Sequence, residues 1–439
     1  MTLVTEIQAA KMDPNKLERL YQSAQKEGQA EVFQSALLAC YEDDPGNLLY
    51  AAWFYRFQQT VEAAGEPRRV VNWVLAIPLS ILTGLIFWAL SDFESLMYLD
   101  HLPVLALWWS PIATMTALIF MTITAKNNQV RAVALGLGLI AVTVYAMLVA
   151  PGLGVPWKTN YYLDLAAIHI PLLCWIALGI SVLGFNSKVE DRFAFLIKSI
   201  EVMITAGLYL IAGLALGGIT IGMFEALSIS IPEIWLRLIA AGGFGLLPVL
   251  AVASVYDPTV PPSEQDFDQG LSKFIATMMR LLLPLTLGVL VIYIIVIPFY
   301  FFEPFNNRDV LIVYNLMLFA IMALLLGATP IRGADLSPQL QKWLRGGIIS
   351  VAVLAGLVSI YALSATSFRT IEGGWTINRI TIIGWNIINI CILFWLVFKQ
   401  FKAGRERWID SLHSVFSLAT NAYLVWGLFV VLVIPWLFR

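Results

Sequence analysis

Charge is what this sequence has least of. Only 13% of its 439 residues are Asp, Glu, Lys or Arg, while 59% are hydrophobic. A water-soluble domain carries about a quarter charged residues, so this apolar surface cannot be hidden in a single soluble core. Histidine and cysteine are scarce, three of each. His101, His169 and His413 lie in different segments without a partner at metal-ligand spacing, and Cys40, Cys174 and Cys391 form no C-x-x-C pair. The expected role of the cysteines is that of small buried hydrophobes. Also missing are the phosphate-cradling G-x-x-x-x-G-K-[ST], H-E-x-x-H, G-x-S-x-G and a strand-led G-x-G-x-x-G. These absences leave no expected metal, cofactor or catalytic residue, and place a lipid-modifying enzyme behind other functions.

What is present is long apolar runs. They are continuous over about 20 residues, which excludes the alternating segments of about 10 residues that build a membrane β-barrel. The expected fold class is therefore all-α, a polytopic transmembrane helix bundle with a small soluble helical domain before it. Eleven spans are expected at about 70–90, 103–124, 132–150, 163–184, 195–222, 234–256, 280–302, 309–328, 346–364, 377–398 and 415–437. The third and eighth are short, and the fifth is long enough to tilt. The first run begins near Val70, far from the start, so a cleaved signal peptide is not expected.

Residues 1–67 read as a soluble domain and 68–439 as the membrane domain. The head carries five basic against ten acidic residues, which argues against nucleic acid as a partner and against the head lying on anionic lipid. Asp13-Pro14-Asn15 caps a first helix through Leu17, Leu20, Tyr21 and Ala24. After Gly28 a second runs through Val32, Phe33, Ala36, Leu37 and Cys40. Asp44-Pro45-Gly46-Asn47 is a turn and cap before a third with Leu48, Leu49, Ala52, Trp53, Tyr55 and Phe57. The set resembles one tetratricopeptide-type unit. A single unit cannot bury its own face, so docking on the membrane domain or on a protein partner is expected.

The loops orient the chain. Arg68 and Arg69 before the first span, with the even-numbered connections, carry 15 basic residues; the opposite side carries four, Lys158, Arg308, Arg369 and Arg439. Arg237 and Arg379, just inside helix ends, belong to neither count. An excess of Lys and Arg marks the cytoplasmic side. The N-terminus is expected in the cytoplasm, the C-terminus outside, and the bundle in a bacterial plasma (inner) membrane, with lipid as its partner.

Within the spans, polar residues single themselves out because each needs a partner in hydrocarbon. Arg379, Asn386 and Asn389 recur at helical spacing and form one stripe on the tenth span. They either hold helices together, with Asn315 and Asn421 as partners, or line a polar cavity for a ligand headgroup or an anionic group near Arg379. His169 sits mid-span between Asp164 and Pro171. An interhelical hydrogen bond, helped by a carbonyl that Pro171 leaves free, is weighed there against a proton relay. Lys198 and Glu201, three apart, share a face as an interfacial ion pair, with an ion-coupling role for Glu201 as the other possibility. Gly213, Gly217, Gly218 and Gly222 suggest close helix packing. Pro78, Pro111, Pro171, Pro248, Pro284 and Pro298 mark breaks or kinks. The sites expected to bind substrate are thus Arg379, Asn386, Asn389, His169 and Glu201.

Three stretches carry a family likeness: Ser230-Ile231-Pro232-Glu233 with Gly242-Gly243-Phe244-Gly245 and Pro248; Leu271-Ser272-Lys273-Phe274 with Leu283-Pro284-Leu285 and Tyr293; and Glu372-Gly373-Gly374-Trp375-Thr376-Ile377-Asn378-Arg379. From about Arg192 to Lys402 the chain resembles a bacterial family of polytopic membrane proteins, domain of unknown function 4153, with Trp375 where that family has an aliphatic residue. The resemblance implies an architecture and no activity. Two functions from different classes remain expected: a transporter or permease-like protein with a polar intramembrane cavity, and a membrane-embedded sensor or assembly factor whose head recruits a cytoplasmic partner.

Overall fold

A computed structural model describes residues 3–26, 30–65, 71–126, 128–268, 270–333 and 336–439. Gly28, Arg68 and Arg69 lie outside the described residues. Two units divide the chain, Met1–Val70 and Val71–Arg439, close to the boundary expected at 67/68.

The first unit holds α1 (Leu3–Ala9), α2 (Pro14–Lys26), α3 (Ala30–Asp43) and α4 (Leu48–Gly65). Asp13 caps α2, accepting from the backbone N–H of Asn15 and Lys16 at 3.0 and 3.1 Å. Asn47 caps α4 through Leu49 and Tyr50, and its amide donates to Lys11 O at 3.1 Å. The expectation of three helices with an uncovered face is corrected by α1. Its Ile7 packs fully buried with Leu17, Phe33, Leu37, Tyr50 and Trp53, and Tyr50 donates its hydroxyl to Ile7 O at 3.2 Å. The head therefore closes a core of its own. The signal missed was the apolar spacing of Val4, Ile7 and Ala10 ahead of the Asp13 cap.

The second unit has eleven helices long and apolar enough to cross a membrane: α5 (Trp73–Leu90), α6 (Val104–Ala125), α7 (Gln129–Leu153), α8 (Pro156–Leu183), α9 (Val189–Ala226), α10 (Glu233–Val255), α11 (Gly270–Tyr300), α12 (Arg308–Ala328), α13 (Pro338–Gly373), α14 (Ile377–Ala403) and α15 (Trp408–Leu437). The protein is an all-α polytopic membrane bundle. The strands described are a two-residue pair, β1 (Met97–Tyr98) and β2 (Leu102–Pro103), antiparallel in the α5–α6 connection. Odd-numbered helices of the series begin at one end of the bundle, called here the proximal face, and even-numbered helices begin at the distal face.

Several helices overrun the expected spans. Ser337 caps α13 with Pro338 at its first position, and Pro156 opens α8 after an extended Val155. Such turns are polar, so apolar-run length under-counts them. Of the prolines, Pro78, Pro111, Pro171, Pro248 and Pro284 sit inside helices. Pro298 instead lies in a terminal 3-10 turn. One core joins buried residues of α9 and α11–α15, among them Leu325, Ile348, Leu393 and Leu412. A second joins α6, α7 and α8 to the end of α15, around Tyr162, Ala166 and Val431. The Gly242–Gly245 stretch makes the α5–α10 contact, where a Cβ on Gly245 would stand 2.8 Å from Gly84 Cα.

The glycine stripe of α9 does not pack as expected. Only Gly217 has a neighbour near its Cβ position, Ile239 at 3.3 Å; Gly213, Gly218 and Gly222 face open space. The reason is position, since no residue of α9 beyond Thr205 is buried and most are exposed. Cys40 and Cys174 are buried as expected of small hydrophobes, but Cys391 is exposed.

Candidate functional site

The stretch that carried the family likeness forms one wall of a cavity at the distal face. Gly374 ends α13 with φ +79°, a left-handed turn that favours glycine. Thr376 then caps α14 by accepting from Arg379 N. The Arg379 guanidinium folds back over that turn and donates to Gly374 O at 2.7 Å. A Cβ on Gly373 would stand 2.7 Å from its Nη1, so only glycine leaves room for this seat. The E-G-G-x-T-x-N-R pattern is thus a device for holding one guanidinium at a helix start.

Arg308 and Arg369 line the same cavity of about 240 Å³. Arg308 is the first residue of α12, after the Asn307 cap, and Arg369 lies in the last turns of α13. Thr366, Thr376, Asn378 and Tyr161 add polar atoms; Leu165, Leu311, Ile312 and Ile382 form the apolar side. Among the described residues, none of the ion pairs involves Arg308, Arg369 or Arg379. The starts of α12 and α14 lie here with the end of α13, so helix termini of both signs border the cavity and its positive potential comes from the guanidiniums. Three guanidiniums around a cavity that no Asp or Glu lines make a site that attracts anions.

The other basic residues of the distal face are engaged. Lys158 donates to Phe438 O at 2.9 Å, and Arg439 stacks on Trp436 at 3.6 Å. Arg237 pairs with Asp92 at 3.3 Å. From the loops, Arg308 and Arg369 read only as two of four basic residues on one side. Their scarcity there, each beside a helix end, was the available signal.

Asn386 and Asn389 follow Arg379 about 10 and 15 Å further along α14, but they do not line this cavity. Both are buried. Asn389 Oδ1 accepts from Tyr423 of α15 at 2.7 Å, and neither side-chain NH2 has a partner. The expected partners are corrected: Asn315 donates within its own helix to Leu311 O, and Asn421 is exposed. Below Asn389 the same face turns apolar through the buried Leu393 and Leu396. It ends at Gln400, which bonds Arg345, Trp408 O and Ser411.

His169 makes the interhelical bond. Its Nε2 accepts from Trp385 Nε1 of α14 at 2.9 Å and its Nδ1 donates to Leu165 O at 2.7 Å. A carbonyl only accepts and an indole N–H only donates, so this geometry fixes the neutral ring with its proton on Nδ1. The carbonyl used is not one that Pro171 frees, which would be that of Ala167. Asp164 turns away from His169 to accept from His101 Nε2 at 2.9 Å. His413 bonds Pro330 O and stacks on Phe193 at 3.8 Å.

Glu201 lies far from the arginines, on the proximal half of α9. Lys198 Nζ donates to Glu201 Oε2 at 2.8 Å, to Asp266 O at 2.6 Å and to Ser272 Oγ at 3.1 Å. Ser272 in turn donates to Glu201 Oε2 at 2.6 Å. Among the described residues no three His, Cys, Asp or Glu side chains gather as a metal site would need. Comparison with protein-family models, curated proteins and solved structures gives no match.

Proposed function

We propose that the protein is a permease-like membrane protein, akin to the domain of unknown function 4153 proteins, that receives an anionic group in the Arg308–Arg369–Arg379 cavity. The supporting observation is the one-sided charge. Three guanidiniums line a single space while every other basic side chain of that face has a partner. With the N-terminus in the cytoplasm of a bacterial plasma membrane, as the 15-to-4 loop asymmetry supports, the cavity opens outward. Asn386 and Asn389, buried and with unused amide donors, lie deeper on the same helix, and the buried Leu393 and Leu396 continue it toward the proximal face. In this state the protein is an outward vestibule above a shut barrier.

Reconstitution into liposomes tests this. Currents or tracer uptake are recorded on solid-supported membranes with phosphate, succinate and glutamate as probes. Flux above protein-free liposomes for at least one probe, lowered severalfold by Arg308→Gln with Arg369→Gln, is the expected result. Equal flux in wild type and the double variant, or none for any probe, sinks the permease reading.

A further inference from the structure

We infer that the group held in the arginine cavity is a phosphate, carried by a membrane-lipid headgroup or by a free phosphate at the distal face; this rests on the anion reading above and narrows it. The first argument is charge. A lone carboxylate has one negative charge and two oxygens, and beside Arg308, Arg369 and Arg379 it leaves cationic charge without a partner. Free phosphate, or a phosphate monoester such as the headgroup of phosphatidic acid, offers up to two charges and at least three free acceptor oxygens, one for each guanidinium fork, which a singly charged phosphodiester headgroup does not. All three positions are arginine, the planar donor suited to tetrahedral oxyanions. Arg379 spends one N–H on Gly374 O, which fixes its plane and leaves the others for a ligand.

The second argument is the supply of neutral donors. Asn378 and Tyr161 line the cavity, and neither side chain has a hydrogen bond within the described chain. Both could donate to oxygens the guanidiniums do not reach.

Size and walls give the third. Whole small-molecule pockets run from about 300 to 1,000 Å³, so about 240 Å³ suits a charged group better than an entire metabolite. Leu165, Leu311, Ile312 and Ile382 continue the cavity on its apolar side, and Ile312 is half exposed on the outer surface of the bundle. A glycerol backbone and acyl chains would lie there naturally. A free phosphate would occupy only the charged end.

The test uses the full-length protein in detergent and in nanodiscs. Thermal shifts are recorded with inorganic phosphate, dihexanoyl phosphatidic acid and succinate. Native mass spectrometry then follows release from nanodiscs of phosphatidylcholine with phosphatidic acid. Phosphate or the short phosphatidic acid should stabilise wild type more than succinate does. Arg369→Gln should weaken that binding roughly tenfold, and Arg369→Lys, which keeps charge but loses the fork, by a smaller factor. Arg308 is exposed and its side chain makes no ion pair or hydrogen bond within the described chain, so Arg308→Gln should fold normally and still weaken binding. Arg332→Gln, at an exposed pair with Asp268, should leave binding unchanged. Retained phosphatidic acid without a response to inorganic phosphate assigns a lipid source, and the reverse assigns a free one. Should succinate bind more tightly than either phosphate, with the same arginine dependence, the phosphate inference falls and the anion reading stands. No shift with any anion, or shifts that ignore Arg308→Gln and Arg369→Gln, overturns both.

Discussion

At the proximal half of α9, Lys198 and Glu201 bury opposite charges with their polar neighbours accounted for. At the distal face, Arg308 and Arg369 bring like charges to one cavity that no carboxylate lines. The first arrangement removes charge from bulk water, while Arg308 is exposed and Arg369 and Arg379 are half-buried; the accounting of partners differs as well. Lys198 meets Glu201, a backbone carbonyl and a hydroxyl, the three acceptors its three N–H groups can use. A lysine satisfied in this way has no donor left for a ligand, and the set ties the loop before α11 to α9. The arginine set is open, with more donors than the chain supplies acceptors. The lesson concerns satisfaction, not polarity: a buried charge with its ion partner reads as architecture, and like charges gathered at the mouth of one cavity without an ion partner read as a binding site.

The sharpest way to break that contrast is to open the closed set. Lys198 and Glu201 keep side-chain exposures of 4% and 9%, so Lys198→Met strands a buried carboxylate. The expected loss is about 3–5 kcal/mol, as for other broken buried pairs. Lys198→Met combined with Glu201→Leu removes both charges and should recover most of it. Thermal unfolding in one detergent compares the three proteins. If the single variant melts with wild type, the pair is not buried and the comparison loses one side.

The interior amides of α14 test a middle case. Asn389 accepts from Tyr423 while its NH2 goes unused, and the Asn386 NH2 has no partner. Asn389→Leu leaves the Tyr423 hydroxyl without its acceptor and should cost about 1 kcal/mol. Asn386→Leu removes an unsatisfied donor and should hold or raise stability by a similar amount. The two asparagines, three residues apart on one helix, are thus expected to respond with opposite signs. Equal losses at both would mean that Asn386 is bonded, by water or by a neighbour, and belongs with the closed set.

Much of this was legible in the sequence, and where legibility ended has physical causes. Continuous apolar runs located the eleven spans, because hydrocarbon demands length. They missed the first turns of α8, α11 and α13, which are polar and lie past the apolar stretch. The spacing of Lys198 and Glu201 foretold their pairing, since residues three apart share a helix face. Ser272 and the Asp266 carbonyl could not be foreseen, because a loop brings them from some 70 residues away. The stripe through Arg379, Asn386 and Asn389 followed from the helical period, but its partner proved to be Tyr423 in place of Asn315 or Asn421. A period names a face and not what the face meets. Arg308 and Arg369 were visible only as loop charges; their convergence on Arg379 is tertiary.

The smallest expected effect separates paired from unpaired guanidiniums on the distal face itself. Asp92 lies in the loop after α5, outside the spans. Hydrogen bonds from Ser95, and then the Arg237 guanidinium, hold its carboxyl below the ordinary value. A carboxyl lowered on folding contributes stability above its unfolded pKa, and that contribution is lost as pH falls through the folded one. Wild type should therefore melt slightly above Asp92→Asn at neutral pH, and the gap should close on acidification below the ordinary carboxylate range of about 4. The pair is partly exposed, so the gap should also shrink with salt. Arg308→Gln has no carboxylate to release, and its stability relative to wild type should not follow that acid titration. A gap for Asp92→Asn that persists unchanged into acid would show that Arg237 is not held by this carboxylate. Arg237 would then be held only by Ser91 Oγ and Trp88 O, and the distal face would hold four guanidiniums without an ion partner in place of three.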